Sequence, residues 1–198
     1  MSRVRICRVK LGVATLLLAG LVAGCAAAQT GAAASAKAAL AFSRAEKLKR
    51  GINASEWFAQ VYDKRGYTPE HFQAWTTAED IALIKSMGFD HVRLSVNPQP
   101  MFTAGEPNKI PAEYLGHLDA AVKTILDHGL AVVIDLHPES DFKARLAKDD
   151  DFVERFADFW RALAAHYSAL DLDADRVFLE ILNEPEFTDR YRWLGVQA

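Results

Sequence analysis

Cysteine is scarce in this chain. Among 198 residues there are two, Cys7 and Cys25, both within the first 25 positions, so the remainder can form no internal disulfide and no thiolate metal site. An excess of one charge is also missing. Twenty-three lysines and arginines face 26 aspartates and glutamates, for a formal net charge of −3, and no basic field exists that would hold nucleic acid. The apolar stretch "LGVATLLLAGLVA" (Leu11 to Ala23) falls short of the roughly 20 residues a spanning helix needs. The first strand-like run leads into "GINASEW", which lacks the G-x-G-x-x-G of a dinucleotide-binding turn. What remains is a globular composition, 51% apolar, with room for one core.

The first 28 residues have the layout of an export signal, with Arg3, Arg5, Arg8 and Lys10 ahead of the short apolar run. That run ends in "VAGC", which resembles the bacterial lipobox and implies lipidation of Cys25. The alternative is ordinary cleavage after Ala26 to Ala28. "AAAQTGAAASAKAA" (Ala26 to Ala39) is low in complexity and reads as a tether. The expected organisation is a lipoprotein-type signal over 1–24, an alanine-rich tether over 25–44 and a folded domain over 45–198. The expected location is outside the cytoplasm, in the periplasm or at the cell surface, lipid-anchored or else secreted.

From Leu48 the chain alternates strand-like and helical runs. Short strands are predicted at Lys49–Asn53, His91–Val96, Ala131–His137 and Val177–Leu182. A helix capped by Thr77 ends at Gly88, and a second, over Glu113–His128, carries Leu115, Leu118, Val122, Ile125 and Leu126 on one face and ends at Gly129. A third repeats Phe152, Phe156, Phe159, Trp160, Leu163 and Tyr167 at helical spacing, and a fourth starts near Thr188. Four consecutive βα units mean a parallel sheet with right-handed crossovers. Arg93, His137, Asn183 and Glu184 stand at or near the C-terminal ends of strands two, three and four, where a barrel gathers its chemistry. The expected fold class is therefore α/β, a (β/α)8 TIM barrel. A whole barrel takes about 250 residues, so four units form about half of one.

"RGIN" with "WF", "MGFDHVRLSVNP", "VVIDLHPE" and "FLEILNEP", in order at four strand ends, resemble glycoside hydrolase family 5, the cellulase-like retaining glycosidases. The resemblance covers roughly Leu48 to Ala198. It implies hydrolysis of β-linked glucans or mannans with no metal or other cofactor, an acid/base glutamate after strand four and a nucleophilic glutamate after strand seven. Only four strands are present. On that resemblance Glu184 is the acid/base and Asn183 binds the sugar 2-hydroxyl. His137 bonds in the sugar site, and Arg93 lies by the nucleophile and keeps it ionised.

Retaining hydrolysis needs two carboxylates about 5–5.5 Å apart. Glu180 shares the strand face of Glu184, but four residues at about 3.3 Å each put it roughly 13 Å away, as a hydrogen-bonded core group. Asp135 points inward and holds a neighbour. Glu139 and Glu186 lie near the mouth, Glu186 on the same loop as the acid. A partner for Glu184 is missing, and the chain is expected to be inactive alone. Bland alternatives stand beside these roles: "NEP" as a plain strand end, Arg93 as a core arginine paired with Asp135 or Glu180, and Trp57 packed under its loop instead of stacked on a sugar. "HPE" is followed by no cysteine pair, against a zinc deaminase site. A rival reading of the whole is a non-catalytic carbohydrate-binding or interaction lipoprotein.

Overall fold

The computed structural model describes residues 35–102, 109–170 and 172–197. Cys25 and the export signal lie outside the described residues. The chain divides into two units, Met1–Ala45 and Glu46–Ala198. In the first, residues 35–45 are helical where the sequence predicts a tether. Alanine has the highest helix propensity of any residue, and "SAKAALAFSRA" contains neither glycine nor proline to break a turn.

In the second unit four strands, β1 (Gly51–Phe58), β2 (His91–Val96), β3 (Ala131–Leu136) and β4 (Val177–Glu180), form one sheet in the order β1-β2-β3-β4. All three pairings are parallel. The crossovers run through α2 (Ala78–Ser86), α3 (Ala112–Asp127) and α5 (Asp150–Ala169), while α1 (Pro69–Ala74), α4 (Ser140–Leu146) and α6 (Arg190–Gln197) occupy the connections. Thr77 and Asp80 form a reciprocal capping box at α2, satisfying two backbone groups that helix starts leave unpaired. Gly88 and Gly129, just past α2 and α3, adopt φ of 82° and 73°, a left-handed turn that glycine makes without steric cost.

Side chains along a strand alternate between faces. Val92, Leu94, Val96, Val132, Ile134 and Leu136 are all 0% exposed and share one core with Ile81, Leu118, Val122, Ile125, Phe156, Phe159 and Leu163 of the helices. Their neighbours Arg93, Ser95 and Asp135 take the other face. The sheet brings those polar residues to a common level, because each strand's end is stitched to the one before it. Asn97 N–H donates to Phe58 O at 2.8 Å, His137 N–H to Val96 O at 2.7 Å, and Asn183 N–H to Leu136 O at 2.8 Å.

Three strands differ from the sequence prediction, β3 only in ending at Leu136 instead of His137. β1 continues to Phe58 through an irregularity in which Ala54 pairs with Leu94 but Phe58 with Val96. Two extra residues are thus accommodated, with Glu56 at φ 61°, and such a bulge leaves no periodic signature. β4 ends at Glu180 instead of Leu182.

Candidate active site

Arg93 is the hub of the polar face. Its Nε donates to Glu180 Oε2 and its Nη2 to Glu180 Oε1, both at 2.7 Å, a bidentate geometry that favours the guanidinium–carboxylate pair. The same Nη2 lies 3.0 Å from Asp135 Oδ2 and donates to Asn183 Oδ1 at 3.1 Å. His137 Nδ1 is 2.9 Å from Asp135 Oδ2, and Asn183 Nδ2 meets His137 Nε2 at 3.2 Å. Four side chains from three strand ends thereby close a ring: Arg93, Asp135, His137, Asn183 and back to Arg93.

Charge in the cluster is balanced by contact. Hydrogen bonding to Glu180 raises the Arg93 pKa against the opposing effect of burial, and the charges of Asp135, Glu180 and Glu184 add to it. Asp135 is 0% exposed, and burial pushes its carboxyl above the ordinary carboxylate range despite the pull of His137 and Arg93. Its second oxygen, Oδ1, is buried with no hydrogen-bond partner.

Glu184 follows Asn183 directly and is exposed. Its φ is 44°, in the left-handed region, although Pro185 follows and residues before proline favour extended backbone. The chain bends there, and the Glu184 charge is near enough to Arg93 to favour its charged form. Glu186 instead faces Lys143, with Oε1 3.4 Å from Nζ.

The structure thus brings Arg93, His137 and Asn183 together with Glu184 beside them, and it leaves Trp57 out. Trp57 is 4% exposed, its ring lies 5.4 Å from that of Phe58, and its indole N–H donates to Phe72 O at 2.8 Å. With both its surface and its polar edge used in packing, the ring has no open face for a sugar. Asn97 and Tyr67 join the polar face without having been singled out from the sequence. Asn97 Nδ2 donates to the Tyr67 hydroxyl at 3.0 Å, and Asn97 is 3% exposed. The signal was present in its position, one residue past β2 as His137 is one past β3. Among the described residues no group of three or more His, Cys, Asp or Glu is placed to hold a metal ion.

Parallel βα units with polar side chains gathered on one face, from Arg93 and Asp135 within the strands to His137 and Asn183 just past them, define the class: this is the start of a (β/α)8 barrel. The family model for cellulases, glycosyl hydrolase family 5, matches residues 51–198, and the chain belongs to that family. Endoglucanase C of Acetivibrio thermocellus is 30% identical over 152 residues, covering 74% of this chain and 43% of that enzyme. Cellodextrinase A of Ruminococcus flavefaciens is 28% identical over 142 residues, covering 68% of this chain and 40% of its own length. The Thermotoga maritima Cel5A structure in complex with mannotriose superposes with a TM-score of 0.65 at 26% identity, covering 79% of this chain and 47% of that one. The chain therefore spans less than half the length of these relatives.

Proposed function

We propose that the chain carries the acid/base side of a retaining glycoside hydrolase acting on β-linked glucans or mannans, with Glu184 as general acid and base. The observation that supports this reading best is the placement of Asn183. Its amide is gripped by Arg93 on one side and His137 on the other, and Glu184 is the next residue along the chain. An amide so fixed can meet a sugar hydroxyl while the adjacent carboxyl protonates the leaving oxygen. Cellobiose and mannotriose, the sugars in the Thermotoga maritima Cel5A complexes, are the compounds to try first.

The attacking carboxylate is a separate group. Glu180 commits both oxygens to Arg93, Asp135 is sealed from solvent and Glu186 faces Lys143. The 198-residue chain alone is accordingly expected to show no turnover. The assay is hydrolysis of soluble β-glucan and β-mannan oligosaccharides by this chain, by any longer chain its gene encodes, and by Glu184→Gln in both. The expected result is turnover by the longer chain with retained configuration, falling by orders of magnitude in Glu184→Gln. A longer chain that hydrolyses equally well with glutamine at 184 overturns the acid/base role.

The proposal extends to location: export with lipid on Cys25. In a bacterial host, mass spectrometry of the mature protein is expected to find a lipidated Cys25, and Cys25→Ser to release the protein or leave it unprocessed. An unlipidated mature N-terminus at Gln29 would mean ordinary signal cleavage.

A further inference from the structure

We infer that Asp135 is a positioning residue, which selects the ring tautomer of His137 and through it sets which way the Asn183 amide faces beside Glu184. The ring of contacts permits only one assignment of protons. Arg93 has donors and no acceptor, so the atom of Asn183 that faces it must be the oxygen, as the 3.1 Å contact has it. The Asn183 nitrogen, a donor, then meets His137 Nε2 at 3.2 Å, and that contact is a hydrogen bond only if Nε2 carries no proton. The imidazole proton must therefore sit on Nδ1, which requires an acceptor there. Asp135 Oδ2 supplies it at 2.9 Å.

Alternatives to this assignment leave like groups facing each other. With the proton on Nε2, two donors would meet at 3.2 Å, and Nδ1 would turn a lone pair toward a carboxylate. Rotating the Asn183 amide would relieve the first conflict but press its NH2 against the Arg93 guanidinium. Asp135 breaks the tie because it is fixed before the others. It is 0% exposed, lies on β3 opposite Ser95 and Glu180 in the sheet register, and is held through the same oxygen by Arg93 at 3.0 Å. Its Oδ1 is buried without a hydrogen-bond partner, so Oδ2 alone makes the carboxylate's contacts to the ring.

That the oriented amide then serves a sugar hydroxyl rests on the function proposed above; the tautomer does not. The test is nitrogen NMR of the 198-residue chain with ¹⁵N-labelled histidine and asparagine. The wild-type protein is expected to show a protonated Nδ1 and an unprotonated Nε2 on His137; the reverse pattern overturns the inference. Asp135→Asn retains an oxygen for Nδ1 and is expected to keep the pattern, whereas Asp135→Leu is expected to move the proton wholly or partly to Nε2 and to shift the Asn183 side-chain NH2 signals. A folded Asp135→Leu protein with both unchanged overturns it too. Asn183→Ala leaves Asp135 in place and is expected to preserve Nδ1–H. A move to Nε2–H there would make Asn183 the selector, whether or not Asp135→Leu folds. Titration with cellobiose separates this result from the proposed function: absence of any Asn183 NH2 shift would count against the sugar reading while leaving the tautomer result intact.

Discussion

At Glu184 the backbone does something its side chain disfavours. A φ of 44° brings Cβ toward the following carbonyl, which costs about 1–2 kcal/mol for an L-residue, and glycine escapes that cost while losing about 0.5–1 kcal/mol to chain entropy. Glu184→Gly is therefore expected to be more stable than Glu184→Ala, by up to about 1 kcal/mol. Urea denaturation of the two variants checks it, and an alanine variant more stable than the glycine one would mean that the turn is relaxed. Strain of this kind concentrates where function dictates geometry, and here it sits on the residue proposed to deliver the proton. Trp57 shows the opposite economy. Sequence alone leaves open whether an aromatic after a first strand faces a ligand or the core, because both uses want the same flat apolar ring. Its burial and the partner of its N–H, Phe72 O, tell them apart.

Elements are set by their ends. Asp149 caps α5 by accepting from Phe152 N–H at 3.1 Å, and its other oxygen accepts from Arg145 Nε at 3.0 Å. The Arg145 bond first and the Phe152 bond second hold the Asp149 carboxyl below the ordinary carboxylate range. A carboxyl whose pKa is lower folded than unfolded adds stability above its unfolded pKa and loses it as pH falls through the folded value. Asp149→Asn is expected to flatten that part of the acid decline, measured as thermal midpoints between about pH 6 and 2; an unchanged slope would show the cap open in solution. The helices were legible from apolar spacing and capping residues: α3 and α5 fall where Leu118, Val122 and Phe156, Phe159 repeat. α1 and α4 were not, since six and seven residues are too few to show a period. The register of the site was half legible. Strict alternation puts Glu180 and Glu184 on one face and Asn183 on the other, yet Glu180 and Asn183 both meet Arg93. The strand stops at Glu180, and beyond it the alternation no longer governs which way Asn183 points. His137 stands one residue past β3 and Arg93 lies within β2 rather than at its end, and their union through Asp135 is a matter of distance across the sheet, which no single segment encodes.

For the molecule as a whole, the order β1-β2-β3-β4 puts β4 at a flank of the described sheet. Leu179 on β4 is 39% exposed, and with Ile181, Trp160, Ala164 and Val196 it lines an apolar groove. An exposed apolar groove of this kind favours association. The 198-residue protein is expected to associate with rising concentration in sedimentation velocity runs, and Leu179→Lys to weaken that association. A monomer at every concentration would show this groove to be covered in solution. The stitching at the strand ends has another consequence. Asn97, His137 and Asn183 are each anchored by an amide N–H that donates to the strand before, a backbone tie separate from the contacts their side chains make. Replacing those side chains breaks these contacts while the backbone beneath them stands, so chemistry and scaffold are separable at these three positions.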